Sequence, residues 1–92
     1  MNVKRMAIIG AGTMGTGIAQ VAAQAGIRVT LIDTAKAALD QSCRSLQDSL
    51  KDAVEREKLT REQADQTREM IGCSTEWDAV SEADWVMEAV FE

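Results

Sequence analysis

The chain has 92 residues, enough for one small domain with a single hydrophobic core and too few for two. Its apolar share of 46% and charged share of 27% are those of an ordinary globular protein, and no apolar run reaches the roughly 18 residues of a membrane-spanning helix. The net charge of −5 opposes a nucleic-acid-binding surface, because phosphate binding needs clustered lysine and arginine.

Histidine is absent, and the two cysteines, Cys43 and Cys73, do not form a C-x-x-C pair. A zinc site needs about four ligands, so we expect no metal site and two small, buried thiols in a reducing compartment. Histidine is the commonest general acid or base of enzymes, so the chain by itself is better suited to binding than to proton transfer.

The basic first five residues precede apolar ones, as in a signal peptide. Glycines interrupt the apolar stretch from residue 10 onwards, however, and no cleavage site follows. We therefore interpret this segment as a strand and expect a cytoplasmic protein.

The first third of the chain predicts a strand, a helix and a second strand. Residues 6–9 are a short apolar run that stops at a glycine, and residues 29–32 are another that stops at Asp33. Between them, apolar residues at helical spacing predict one buried helix face: Met14, Ile18, Val21, Ala22 and Ala25. Gly26 stands where a helix C-terminus favours glycine. The length fits one β-α-β unit.

The remaining residues predict further helices and strands. Apolar positions three or four apart indicate an amphipathic helix through residues 39–54, and Thr60 with Gln63 forms a capping box for another helix that reaches about residue 70. We expect strands at 71–74 and 85–90, with Trp85 packed in a buried strand, and a brief helix at 76–81. Such alternation predicts an α/β fold with a doubly wound parallel sheet, of which about four strands are present.

Residues 10–15 read Gly-Ala-Gly-Thr-Met-Gly, a G-x-G-x-x-G motif. Alone the motif is weak, but here it follows a strand, opens a helix and precedes an acidic residue at the end of the next strand. Gly10 would make the tight turn, Gly12 would let a pyrophosphate approach the backbone, and Gly15 would let the helix pack close to the strand. This context predicts a Rossmann-type dinucleotide site.

Asp33 lies 18 residues after Gly15, at the end of the second predicted strand. A carboxylate there accepts hydrogen bonds from the adenosine ribose hydroxyls of NAD and would repel the 2′-phosphate of NADP. Residues 34–37 contain no arginine that could bind the 2′-phosphate of NADP, and only Lys36 would weaken the preference for NAD over NADP. We therefore expect NAD as the cofactor.

Two blocks of the chain resemble the 3-hydroxyacyl-CoA dehydrogenase family. Residues 8–20 resemble the family's opening, I-G-x-G-x-M-G-x-G-I-A, and residues 84–92 resemble its second block, A-D-x-V-I-E-A-V-x-E. The resemblance covers the whole chain, and the two linked blocks make it more specific than the glycine motif alone.

The resemblance implies a role for each matching position. It assigns the cofactor diphosphate to the loop of Gly10, Ala11, Gly12, Thr13, Met14 and Gly15, and the adenosine ribose to Asp33. It assigns the nicotinamide half of NAD to Val90, Phe91 and Glu92. Ser49 matches a serine that touches the CoA moiety in some members, and Arg56 stands where those members have a lysine.

The resemblance also implies a reaction and a larger protein. The full-length enzyme would oxidise an (S)-3-hydroxyacyl-CoA to the 3-ketoacyl-CoA in fatty acid metabolism, including β-oxidation, and would be a homodimer that binds neither nucleic acid nor membrane. The family's catalytic serine, histidine, glutamate and asparagine lie beyond Glu92. We therefore expect residues 1–92 to be the incomplete amino-terminal part of the NAD-binding domain, with no catalytic residue and without the helical domain for substrate and dimerisation.

Two alternatives stay open from the residues alone. One is another dehydrogenase whose sequence opens similarly, of the 3-hydroxyisobutyrate or 6-phosphogluconate type, although Glu88, Ala89 and Val90 argue against it. The other is a nucleotide-binding module without chemistry.

Overall fold

A computed structural model describes residues 3–89 of the chain. Its elements are, in order, β1 (Arg5–Ile9), α1 (Thr13–Gln24), β2 (Arg28–Ile32), α2 (Lys36–Glu55), α3 (Arg61–Glu69), β3 (Ile71–Ser74), α4 (Asp78–Glu82) and β4 (Trp85–Glu88). The predicted order of strands and helices is confirmed, with bounds that shift by a few residues.

The four strands form one sheet in the order β3-β2-β1-β4, and every neighbouring pair is parallel. Ala7 of β1 lies opposite Thr30 of β2 on one side and opposite Val86 of β4 on the other. The strand order therefore reverses at β1, which confirms the predicted doubly wound sheet. Ligands of such sheets bind at the carboxyl ends of the strands beside this reversal.

Helix α1 packs on the sheet mainly through small residues. The predicted apolar face is confirmed at Ala22 and Ile18 and is wrong at Met14, Val21 and Ala25. Met14 is 56% exposed and Val21 68% exposed, and Ala25 is also exposed, whereas the buried residues of the helix are Gly15, Thr16, Ala19, Ala22 and Ala23. The close approach of Gly15 to the Gly10 carbonyl, in the turn after β1, sets the helix rotation. Ile18 is the one large side chain of the predicted face that packs against the core, so hydrophobicity alone misplaced Met14 and Val21.

Helix α2 follows its predicted pattern more closely. Leu39, Leu46 and Leu50 are buried, and they join Ile8, Leu31 and other residues of the strands in one core. Helix α3 begins at the predicted capping box: the Thr60 hydroxyl accepts from the Gln63 backbone N–H at 3.1 Å, and the Gln63 side chain accepts from the Thr60 N–H at 2.9 Å. Gly26 has a φ of 89°, as a glycine that ends a helix does.

Strand β4 is less buried than expected. Trp85 is 45% exposed and Val86 43% exposed, so the predicted packing of Trp85 in a buried strand is wrong. Only β1 pairs with β4 among the described residues, and β4 forms an edge of the described sheet. The brief helix predicted at 76–81 is α4, which begins after Trp77 without a side-chain cap. Within residues 3–89, no helix is both long enough and apolar enough to cross a membrane.

Candidate functional site

The turn after β1 is shaped by two glycines. Gly10 has a φ of 101°, which side chains disfavour, and its N–H donates to the Ile32 carbonyl at 2.8 Å. A Cβ at Gly15 would lie 2.2 Å from the Gly10 carbonyl oxygen and 3.3 Å from Cγ2 of Ile8. The turn and the close packing of helix on strand therefore need glycine at both positions, as the motif predicts.

Gly12 plays a different part. It is exposed, and a Cβ there would meet no atom within 4 Å, so neither the turn nor the packing requires glycine at this position. Gly12 is the N-cap of α1, and no side chain caps the helix. The first-turn N–H groups have no acceptor within the helix, and together with the helix dipole they can donate to an anion in the open space beside Gly12.

Asp33 lies at the end of β2, and its side chain contacts the loop that follows β1. Its Oδ2 accepts from the Ala11 N–H at 3.0 Å, and its Oδ1 accepts from the Ala35 N–H at 2.9 Å. The bond from Ala11, followed by the bond from Ala35, lowers the pKa of the Asp33 carboxyl below its usual value, and partial burial opposes this only weakly. A charged carboxylate therefore lies beside the phosphate loop, and its remaining lone pairs can accept from ribose hydroxyls.

Both backbone polar groups of Ala11 are already engaged. Its N–H donates to Asp33, and its carbonyl accepts from the buried Ser42 hydroxyl of α2. Thr16 of α1 completes the cluster, with its hydroxyl 2.8 Å from the Gly12 carbonyl oxygen and 2.9 Å from the Ser42 hydroxyl. Ala11 is itself buried, so it supports the loop from within.

Sequence analysis missed this Thr16–Ser42 pair, although a signal for it was present. Ser42 lies three residues after Leu39 and four before Leu46, so it interrupts the apolar stripe of α2. A small polar residue inside an apolar stripe is buried and needs a partner, and here the partner is the phosphate loop.

The loop, Asp33 and the end of β4 enclose one cleft. It has a volume of about 550 Å³ and is lined by Gly10, Ala11, Gly12, Thr13, Met14, Asp33, Ala38 and Ala89. The Ala89 N–H donates to the Ile9 carbonyl at 2.8 Å, which places residue 89 beside the start of the loop. The structure thus brings the predicted loop residues together with Asp33. Val90, Phe91 and Glu92 lie outside the described residues.

A second groove runs between α1 and α2. It measures about 610 Å³, and its lining includes Thr16, Gly17, Gln20, Ser42, Ser45 and Ser49. It contains no charged side chain among its lining residues, and it shares Gly12 and Thr13 with the cleft. Ser49 is exposed in this groove, and Arg56, at the end of α2, forms an exposed ion pair with Asp52 at 3.1 Å.

The cysteines do not match the expectation of two separate buried thiols. Cys73 is exposed and Cys43 is half-buried, and their sulfur atoms lie 3.2 Å apart. Cys43 lies on α2 and Cys73 on β3, so the fold brings them together from positions 30 residues apart, which sequence spacing could not reveal.

Comparison with known proteins identifies the family. Residues 5–92 match the family model described as "3-hydroxyacyl-CoA dehydrogenase, NAD binding domain". The chain is 40% identical over 92 residues to the 3-hydroxyadipyl-CoA dehydrogenase of Escherichia coli. The aligned region covers all of this chain and 19% of that protein. It is 34% identical over 90 residues to the 3-hydroxybutyryl-CoA dehydrogenase of Mycobacterium tuberculosis. That aligned region covers 98% of this chain and 32% of that protein.

Solved structures agree with the sequences. The (S)-3-hydroxybutyryl-CoA dehydrogenase from Ralstonia eutropha superposes with a TM-score of 0.94 at 35% identity, over 99% of this chain and 32% of that one. The chain therefore spans between a fifth and a third of the length of these relatives. The family match also disfavours the two alternatives left open by the sequence. The chain belongs to the family of NAD-binding domains of 3-hydroxyacyl-CoA dehydrogenases, and its cofactor is NAD.

Proposed function

We propose that the full-length protein oxidises an (S)-3-hydroxyacyl-CoA to the 3-ketoacyl-CoA, and that this chain supplies the larger part of its NAD site. The observation that carries the proposal is the bond between Asp33 and Ala11, which holds a ribose-binding carboxylate and a phosphate-binding loop in one cleft beside the reversal of the sheet. The names of the relatives support the substrate class.

The diphosphate of NAD would lie over Gly12. The absence of a side chain there leaves space for the phosphates, and the uncapped N–H groups at the start of α1 would donate to their oxygens. Thr13 and Met14 line the same cleft, and the exposed Met14 side chain offers an apolar surface to the cofactor. Ala11 and Gly15 would act by holding the loop in shape.

The two halves of the cofactor would extend in opposite directions from the loop. Asp33 would accept from the adenosine ribose hydroxyls, and Val90, Phe91 and Glu92, which follow the cleft-lining Ala89, would lie along the nicotinamide half. When bound, NAD supplies the hydride acceptor for carbon 3 of the substrate. This chain's own residues bind and orient the cofactor, and the groups that move protons belong to other parts of the full-length protein.

The proposal includes the protein's larger context. Residues 1–92 form the first part of the NAD-binding domain, and a helical domain elsewhere in the protein binds the acyl chain and forms a homodimer. The protein acts in the cytoplasm, in fatty acid metabolism of the β-oxidation type. It needs neither nucleic acid nor membrane as a partner.

The reaction is tested with the full-length protein, NAD and (S)-3-hydroxybutyryl-CoA, by following NADH absorbance. We expect NADH formation with the S substrate and none with the R enantiomer. If the protein binds NADH tightly but oxidises no 3-hydroxyacyl-CoA with an acyl chain of about four to sixteen carbons, it is a nucleotide-binding module without chemistry.

We also propose that Ser49 contacts the CoA part of the substrate. Its exposed hydroxyl lies in the groove between α1 and α2, which joins the cofactor cleft at Gly12 and Thr13. Arg56 lies seven residues further along α2, about 10 Å away on the same side of the helix. Its guanidinium would add positive charge near the CoA phosphates, in part offset by Asp52.

A truncated substrate separates this role from a structural one. Ser49→Ala should raise KM for 3-hydroxybutyryl-CoA several-fold at unchanged kcat, and should leave KM for the N-acetylcysteamine thioester unchanged, because that thioester lacks the nucleotide. Gln47→Ala, an exposed position of α2 outside the groove, is the control. Equal effects of Ser49→Ala on both substrates would remove Ser49 from the CoA site.

A further inference from the structure

The two cysteines of the chain form a contact that the NAD site does not use. Cys43 lies on α2 and Cys73 on β3, and their Sγ atoms are 3.2 Å apart, so that one thiol donates a weak hydrogen bond to the other. A disulfide has an S–S distance of about 2.05 Å, so closure needs an approach of only about 1 Å. Small rotations of the two cysteine side chains provide such a shift while α2 and β3 stay in place.

The two cysteines differ in exposure. Cys73 is an exposed residue whose thiol is partly desolvated, whereas Cys43 is half-buried. Partial burial, followed by the neighbouring Cys43, raises the pKa of the Cys73 thiol to about 11, while Arg68 opposes this and Asp40 adds to it. The thiolate is the attacking species, so the raised pKa slows the reaction of Cys73 at neutral pH, and an excess of oxidant speeds it.

We propose that Cys43 and Cys73 are a redox-modifiable pair, which a small disulfide such as oxidised glutathione converts to an intramolecular disulfide between α2 and β3. The exposed Cys73 thiolate attacks one sulfur of the oxidant, forming a mixed disulfide and releasing one glutathione thiolate. The Cys43 thiolate then attacks the Cys73 sulfur and releases the second glutathione. The protein loses two electrons and two protons, and one oxidised glutathione becomes two reduced ones.

The position of the pair gives the disulfide a structural consequence. Ser42, next to Cys43, donates to the Ala11 carbonyl, and the carbonyl of Ser74, next to Cys73, accepts from the Asp33 N–H at 3.2 Å. The disulfide would therefore join two segments that support the phosphate loop and Asp33. This inference concerns the thiols themselves and does not depend on the proposed dehydrogenase activity.

The test uses the full-length protein, incubated under native conditions with excess oxidised glutathione and then alkylated. A non-reducing tryptic map should show the Cys43 peptide linked to the Cys73 peptide, with a mass about 2 Da below the sum of the two, and dithiothreitol should reverse the link. Cys43→Ser should instead retain a stable glutathione adduct on Cys73, because no second thiol resolves it.

Three results would overturn the proposal. They are a persistent glutathione adduct on Cys73 in the wild-type protein, full alkylation of both thiols, and a link between two chains on a non-reducing gel. The wild-type map decides the matter even if Cys43→Ser fails to fold.

Discussion

The carboxylate of Asp33 accepts a hydrogen bond from the backbone N–H of Ala11, with 3.0 Å between Oδ2 and the nitrogen. The bond links the end of β2 to the turn after β1, the two places where we propose that the dinucleotide binds. Asp33 therefore has a structural role in addition to the ribose contact that we propose. Substitutions at this position must separate the two roles. In Asp33→Asn the amide oxygen can still accept from Ala11, whereas the charge and the bond accepted from Ala35 are lost.

Cofactor choice follows from the charge of Asp33. The 2′-phosphate of NADP carries nearly two negative charges, so a half-buried contact with the carboxylate costs several kcal/mol and corresponds to a preference for NAD of at least about 100-fold in kcat/KM. Lys36 is exposed, and its attraction is worth only about 0–1 kcal/mol. Both Asp33→Ser and Asp33→Asn should reduce the ratio of kcat/KM for NAD to kcat/KM for NADP. Equal use of NAD and NADP by the wild-type enzyme would mean that Asp33 does not face the ribose.

The acid stability of the protein should depend on the same group. Because the folded-state pKa of Asp33 is lowered, its stabilising effect is complete above about pH 4, the unfolded pKa, and is lost as the pH falls through the lower folded pKa. After allowance for solvent screening, we expect Asp33→Asn to reduce the free energy of unfolding by about 1 kcal/mol at pH 7. Urea titrations at pH 7 and pH 3 should show this difference shrinking in acid. A difference independent of pH would contradict the role of the charge. Asp84, whose pKa is also lowered by the backbone N–H groups of Lys4 and Arg5, is present in both proteins and cancels in the comparison.

Gly15→Ala should damage the fold. Its new Cβ would lie 2.2 Å from the Gly10 carbonyl oxygen, a backbone atom that cannot move without shifting the turn, and we expect a loss of about 2–3 kcal/mol in unfolding free energy. Gly17→Ala is the control on the same helix. Nothing lies within 4 Å of its Cβ, and better helix propensity should stabilise it by up to about 1 kcal/mol. Equal thermal stability of the two variants would contradict the packing described here.

Ser42→Ala should weaken the support of the phosphate loop. The change removes the only side-chain donor to the Ala11 carbonyl among the described residues, and a buried acceptor without a partner costs about 1–3 kcal/mol. Ser45→Ala, at an exposed position one turn along α2, should change unfolding free energy by less than about 0.5 kcal/mol. Urea denaturation compares the two, and matching midpoints would show that the Ser42 bond contributes nothing measurable.

Sequence patterns predicted the parts of this fold that depend on local rules. The capping box at Thr60, the glycine that ends α1 and the order of strands and helices follow from side-chain chemistry and spacing within a few residues. The glycine motif and Asp33 likewise predicted a common site, because parallel strands place their carboxyl ends at one edge of a sheet.

The errors arose where tertiary contacts override local preference. Hydrophobicity placed Met14 and Val21 against the sheet, whereas the close approach at Gly15 sets a rotation of α1 that leaves both side chains exposed. The Thr16–Ser42 bond and the Cys43–Cys73 contact join residues 26 and 30 positions apart. The apolar stripe of α2 indicates that Ser42 is buried, but the sequence does not show which residue it contacts.

The central claim is that NAD binds over the loop at Gly12, and calorimetric titration of NADH into the full-length protein tests it most directly. Gly12→Val places a side chain where the pyrophosphate would lie, while the open space at that position lets the fold survive. We predict that the variant keeps the wild-type far-UV circular dichroism spectrum and that its Kd for NADH rises at least about 100-fold, the loss expected when two or more charge-assisted hydrogen bonds are blocked. A folded variant that binds NADH with wild-type affinity would contradict the account.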